Sequence, residues 1–113
     1  MNHDHYAQPI VDLEKVPSKE ILPGFKGRFV HTETMTVAYW SVKKGSVLPK
    51  HNHHHEQITQ VTEGEFAMTI GNTTSVLTSG KVVLIPSDVP HEGHALSDCK
   101  IIDVFSPRRE DYS

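Results

Sequence analysis

The run Gly45-Ser46-Val47-Leu48-Pro49-Lys50-His51-Asn52-His53-His54-His55-Glu56-Gln57, closing at Glu63-Gly64, decides how the chain is read. Four of its nine histidines fall within five residues here, beside a carboxylate and an amide. Successive side chains of a strand point to opposite faces, so His51 and His53 share one side, continued by His55 and Gln57. Asn52, His54 and Glu56 take the other side. Neutral imidazoles converging from one strand face bind a transition metal. The competing reading is a solvated, histidine-rich loop. One short strand cannot surround an ion, so a real site needs a ligand from elsewhere. The second stretch, Gly80-Lys81-Val82-Val83-Leu84-Ile85-Pro86-Ser87-Asp88-Val89-Pro90-His91, offers one. There an apolar, β-branched run enters a Pro/Ser/Asp/Pro turn, and His91 follows at once.

Together the two stretches resemble the motif pair of a single-domain cupin, over roughly Met35 to Ser106. Gly45, His51, His53 and Gly64 fit the spacing of the first motif, with Gln57 where a glutamate is usual. Gly80, Pro86 and His91 fit the second, with Asp88 in place of its glycine and Ala95 in place of its asparagine. The resemblance implies an all-β fold, a single antiparallel, jelly-roll-like barrel, with His51, His53 and His91 on one ion. For the remaining ligand Glu56 and Gln57 compete. Glutamate is the better anionic donor, but Gln57 keeps parity with the histidines and alone leaves six residues before Gly64. Gln57 is therefore the expected ligand. His55 is expected at the rim of the pocket, and His94, of opposite parity to His91, is expected to point away. His3 and His5 repeat the His-x-His spacing near the terminus, where ligation is not expected.

The chain has 113 residues, enough for one domain with a real core. Its net charge of -3 comes with no dense Lys/Arg cluster, so nucleic acid is not an expected partner. A single cysteine, Cys99, excludes an internal disulfide and is expected to pack rather than react. The sequence carries no apolar signal-peptide core and no run of membrane-span length, so a cytoplasmic, membrane-free protein is expected. Residues 1–24, broken by Pro9, Pro17 and Pro23, read as an N-terminal arm with at most a short strand of its own. Residues 25–113 read as the barrel.

Within the barrel, Val, Thr, Tyr, Trp and Phe enrichment predicts strands over 28–31, 34–42, 58–61, 65–70, 73–77, 82–85 and 100–105. Turns are expected at Thr32-Glu33, Lys44-Gly45 with Gly45 at positive φ, Gly71-Asn72 and Ser79-Gly80. Short strands at such spacing suit a barrel or sandwich, and exposed strand edges in so small a barrel predict a homodimer.

The last strand carries one carboxylate, Asp103, sharing parity with Ile101 and Phe105. A buried aspartate must be paired or at work, and a salt bridge to an arginine is the ordinary pairing. Arg108 and Arg109 follow Pro107 and could clamp a carboxylate over the barrel mouth, with one of the two expected to be merely solvated. Trp40 and Tyr39 read as sheet or subunit contacts. His-x-His-x-His-Glu-Gln with Asp-x-Phe-x-Pro-x-Arg resembles a narrower group, the small pectin-degradation cupins, which promote conversion of unsaturated uronates to the linear keto form. The resemblance implies metal ligation by His51, His53, Gln57 and His91, and a substrate pocket lined by Asp103, Phe105 and Arg109. It implies one divalent transition metal (Zn, Ni, Mn, Fe or Co) and a small anionic, oxygenated substrate. Three neutral imidazoles and an amide leave such an ion its full charge, which favours anionic oxygen ligands. Oxygen chemistry at the metal, or a sugar-binding sensor without turnover, are the rival expectations.

Overall fold

The computed structural model describes residues 9–113; His3 and His5 lie outside them. Ten strands run β1 (Lys19–Leu22), β2 (Phe25–His31), β3 (Thr36–Val42), β4 (Val47–His51), β5 (Glu56–Glu63), β6 (Phe66–Ile70), β7 (Thr73–Leu77), β8 (Val82–Ile85), β9 (His91–Ala95) and β10 (Cys99–Ser106). The only helical pieces among the described residues are the 3₁₀ turns Leu13–Lys15 and Glu110–Tyr112. Two sheets form, one ordered β1-β2-β3-β10-β5-β8 and the other β4-β9-β6-β7, and every pairing is antiparallel. This is the all-β, antiparallel barrel expected from the motif pair.

Alternation decides what fills the space between the sheets. In β10, Cys99, Ile101, Asp103 and Phe105 are buried while Lys100, Ile102, Val104 and Ser106 are not. Phe25, Phe29, Ala38, Trp40, Val61, Phe66, Met68 and Ile85 complete the core from both sheets. Phe25 and Phe29 meet Trp40 edge-on at 6.2 and 5.4 Å between centroids, arrangements worth about 0.5–1.5 kcal/mol each beyond the area they bury. Cys99 is buried among them, and burial raises its thiol above the ordinary range, as its packing role requires.

Local chemistry explains where strand ends fall. β3 starts at Thr36 rather than 34, because the Thr32 hydroxyl accepts hydrogen bonds from the amides of Thr34 and Met35 and holds a four-residue turn. Gly45 takes φ +84, as the turn demanded. Gly64 needs both its φ of +86 and its missing side chain, since a Cβ would lie 2.2 Å from the Asp98 carbonyl oxygen. β4 and β9 were not among the expected strands, Pro49 and Gly93 masking their pattern; they pair with each other and bring His51 opposite His91. Within the arm, β1 pairs with β2 at the sheet edge.

Candidate metal centre

His51 ends β4, His53 lies in the loop after it, and His91 opens β9. What joins the two motifs is a staple between that loop and the Pro86–Pro90 turn. The Asp88 amide donates to the His53 carbonyl at 2.8 Å, and the Ser87 hydroxyl donates to the His54 carbonyl. Asp88 sits at φ +66, the conformation for which glycine is usual at this motif position. Aspartate is one of the few residues that enters this region at small cost, so the departure leaves the turn intact.

The three imidazoles converge: one nitrogen of each lies within 4.8 Å of the others. Their centroids are 4.2 Å apart for His51–His91 and 5.0 Å for His53–His91. Each ring also turns its Nδ1 to a backbone carbonyl, Pro49 at 2.8 Å, His55 at 3.0 Å and Val89 at 2.9 Å for His51, His53 and His91. A carbonyl oxygen only accepts, so Nδ1 carries the proton in the neutral rings and Nε2 keeps its lone pair. Such outer bonds are how proteins aim metal-binding histidines.

Gln57 lies beside the three rings. It is buried on β5 while Glu56 beside it is exposed, so parity selects the amide. Its Nε2 donates to the Thr59 hydroxyl at 2.9 Å and to Asp103 Oδ1 at 3.2 Å, which turns Oε1 toward the histidines, 3.0 Å from His53 Nε2. That contact tests whether an ion fits. With Nδ1 protonated, it sets two lone-pair acceptors face to face, an arrangement a cation between them would satisfy. Two ligands held about 2.1 Å from one ion at a right angle stand about 3 Å apart. The Nε2 of His91 is buried with no hydrogen-bond partner among the described residues, and an orphaned polar atom of this kind is costly unless something binds it. These donors fit a divalent transition ion.

Burial also favours the neutral form of His53 and His91. It pulls His91 down from the ordinary 6.5 to about 4, and burial followed by the Arg109 charge lowers His53. Between pH 6.5 and about 4 the unfolded chain therefore protonates His91 while the folded, metal-free chain does not. The unfolded state binds more protons in that window, so stability is full above it and falls as the pH falls through it. Denaturant unfolding of metal-free protein should show this slope, and His91→Gln should flatten it.

The other side chains singled out in the sequence divide. A cavity of about 60 Å³, room for several waters, is lined by His51, Gln57, His91, Asp103, Phe105 and Arg109 together with Trp40, Thr59 and Tyr112. Asp103 is buried, but its partners are not arginines. Trp40 Nε1 donates to Oδ2 at 2.9 Å, and the Thr59 hydroxyl donates to Oδ1 at 2.6 Å beside the Gln57 amide. Burial pushes this carboxyl up against the pull of those three bonds. Arg109 is buried over the rings of Phe105 and Tyr112, 4.7 and 4.2 Å from their centroids. Its fork closes on Asp111 through Nε at 2.9 Å and Nη2 at 2.7 Å. Arg108 instead pairs with Glu110 at 3.5 Å.

His94 is exposed, directed away from His91, and His54 is exposed as well. His55 is buried, its ring 5.5 Å from His53 and 6.4 Å from Phe105, next to the ligands but outside the cluster. Trp40 and Thr59 are the residues the sequence did not reveal as part of the site. Thr59 carries a signal, the parity it shares with Gln57; Trp40 carries none without the strand register.

Known proteins place this arrangement. The uncharacterised protein SCO3923 of Streptomyces coelicolor is 30% identical over 81 residues, 71% of this chain and 77% of its own. An RmlC-like cupin from Shewanella frigidimarina matches the fold with a TM-score of 0.88 at 28% identity, over 92% of this chain and 95% of that one. KdgF from Halomonas sp. matches with a TM-score of 0.83 at 28% identity, over 88% and 94%. Oxalate decarboxylase from Bacillus subtilis, at 18% identity and a TM-score of 0.80, shares the fold alone, and this chain spans 30% of its length. Residues 38–105 match the cupin domain itself, and with that match added to the barrel and the motif pair, the chain belongs to the cupin family.

Proposed function

We propose that the protein is a metal-dependent cupin enzyme that isomerises a small sugar acid, an unsaturated uronate, from its cyclic to its linear keto form. The observation that carries this reading is one cavity lined both by metal-type donors (His51, Gln57, His91) and by an acid–base and anion-binding pair, Asp103 and Arg109. The motif resemblance to the small pectin-degradation cupins and the likeness to Halomonas KdgF favour the substrate class. A divalent ion held by His51, His53, Gln57 and His91 supplies Lewis acidity toward sugar oxygens.

The chain's own residues do the rest. Arg109 receives the carboxylate of the substrate. Its Nε–Nη2 edge is held by Asp111 in two parallel hydrogen bonds, which fix the guanidinium, so the substrate carboxylate is received by the remaining guanidinium N–H groups. Among the described residues Asp103 Oδ2 accepts from the Trp40 N–H, which leaves a lone pair for a substrate proton. It takes the proton of the anomeric hydroxyl as the ring C–O bond breaks and returns one to carbon as the enol becomes a ketone. The step is a net isomerisation and consumes no co-reactant. Burial favours the neutral form of Asp103 and brings the group toward the working range of a general acid–base. Phe105 packs against Arg109 and fixes its plane.

The test is a panel of unsaturated uronates incubated with metal-loaded protein, followed by loss of the ultraviolet absorbance of the conjugated double bond. Metal-dependent loss supports the reading; binding without product contradicts it and favours a sensor. Arg109→Met should raise KM roughly 10- to 100-fold and change kcat less, the scale of charge-assisted hydrogen bonds worth about 1.5–3 kcal/mol.

A further inference from the structure

Gln57 stands where a glutamate is usual for this fold, and the structure contains the reason. Its Nε2 donates toward both the Thr59 hydroxyl and Asp103 Oδ1, which lie 2.6 Å apart on one side of the amide. A glutamate at 57 would set a second carboxylate oxygen about 3 Å from Asp103, a pair that cannot both be charged so close. With an amide, the same contacts become donor-to-acceptor bonds, and the carboxamide oxygen has one direction left, toward the histidines.

The residues that enforce this direction come from three neighbouring strands. β10 lies between β3 and β5, with Asp103 opposite Thr59 and Ile101 opposite Trp40. Thr59 accepts from Gln57 and donates to Asp103, so its single hydroxyl locks the two in register. Trp40 holds the far oxygen of Asp103 through its indole N–H, and its own ring is fixed edge-on by Phe25, Phe29 and Tyr112. All four members of the chain are buried. Rotating the Gln57 amide by half a turn would put its oxygen against Asp103 and break this sequence of bonds at two places.

We propose that Trp40, Thr59 and Asp103 are positioning residues that hold the Gln57 oxygen toward His51, His53 and His91, so that the affinity of the metal centre is set from the barrel core. The inference rests on the metal-centre reading and adds to it Trp40 and Thr59, which are not metal ligands, and a second role for Asp103 beside proton transfer. Loss of such an outer partner costs 10- to 100-fold in metal affinity where it has been measured in other sites.

The test uses the full chain and zinc or cobalt(II) ions. Thr59→Val deletes the hydroxyl, and Thr59→Ser keeps it. Competition titration should show metal binding about 10- to 100-fold weaker for Thr59→Val and restored for Thr59→Ser, with an altered cobalt(II) ligand-field spectrum in the first only. Trp40 is the chain's one tryptophan, so its indole N–H gives a single nuclear magnetic resonance cross-peak. Zinc should move that peak in the wild type although Trp40 is no ligand, and Trp40→Phe should weaken zinc binding in the same direction as Thr59→Val. The Trp40 variant also serves if Thr59→Val fails to fold. Unchanged affinity and cobalt spectrum in both variants, or an indole peak indifferent to zinc, overturn the inference. Failure of the wild type to bind either ion overturns the metal-centre reading itself, so the two failures are told apart.

Discussion

His91→Ala is expected to leave a folded barrel that no longer holds a metal ion. His91 is 1% exposed, its Nδ1 is committed to the Val89 carbonyl, and its Nε2 has no partner among the described residues. His51 and His53 come from one stretch of chain, and only His91 closes the cluster from the second motif. Its removal leaves two imidazoles and an amide, too few to define a site, and the loss of affinity should exceed the 10- to 100-fold typical of an outer partner. Thermal unfolding reads the effect directly. A ligand at 100 times its Kd stabilises a fold by about 2.7 kcal/mol, so wild-type Tm should climb with added metal while the variant's stays flat. A metal-dependent rise of equal size in the variant would place the ion elsewhere.

Asp103→Asn is expected to cut turnover on the true uronate about 100-fold or more, the usual worth of a general acid–base group. The asparagine also has one acceptor oxygen where Trp40, Thr59 and Gln57 now share two, so metal affinity should weaken as well. The two effects separate in a metal titration. If Asp103 moves the proton, activity stays low when the variant is saturated with metal. If it only aims Gln57, saturating metal brings the rate back. Full recovery would remove the proton-transfer role and leave the positioning one.

Much of the site could be read from side-chain parity and spacing. The one-strand reading of His51, His53 and Gln57 does not hold, since β4 ends at His51, residues 52–55 form a loop and Gln57 belongs to β5 in the other sheet. Parity holds within β5, where Gln57 is buried and Glu56 is not, and in β10, where Asp103 faces inward with Ile101 and Phe105. The proline turn before His91 marks where a second strand begins. What parity cannot give is register. Trp40 meets Asp103 because β3 pairs with β10 so that Ile101 faces Trp40, and that alignment is a property of two strands together. For the same reason the ordinary expectation for Asp103, an arginine partner, missed the indole and the hydroxyl. Asp111 was invisible as the occupant of Arg109 because the two meet only through the fold of the C-terminal 3₁₀ turn. β4 and β9 were obscured by Pro49, Gly93 and the histidines, residues whose chemistry overrides strand propensity.

X-ray absorption at the edge of the bound metal, on protein assayed for one ion per chain, addresses the centre most directly. The expected spectrum has three imidazole nitrogens and at least one oxygen at about 2.0–2.2 Å, and this imidazole signature is lost in His91→Ala. A spectrum of a hydrated ion with one imidazole or none, or one unchanged by His91→Ala, would contradict the convergence of His51, His53, Gln57 and His91 on a single cation.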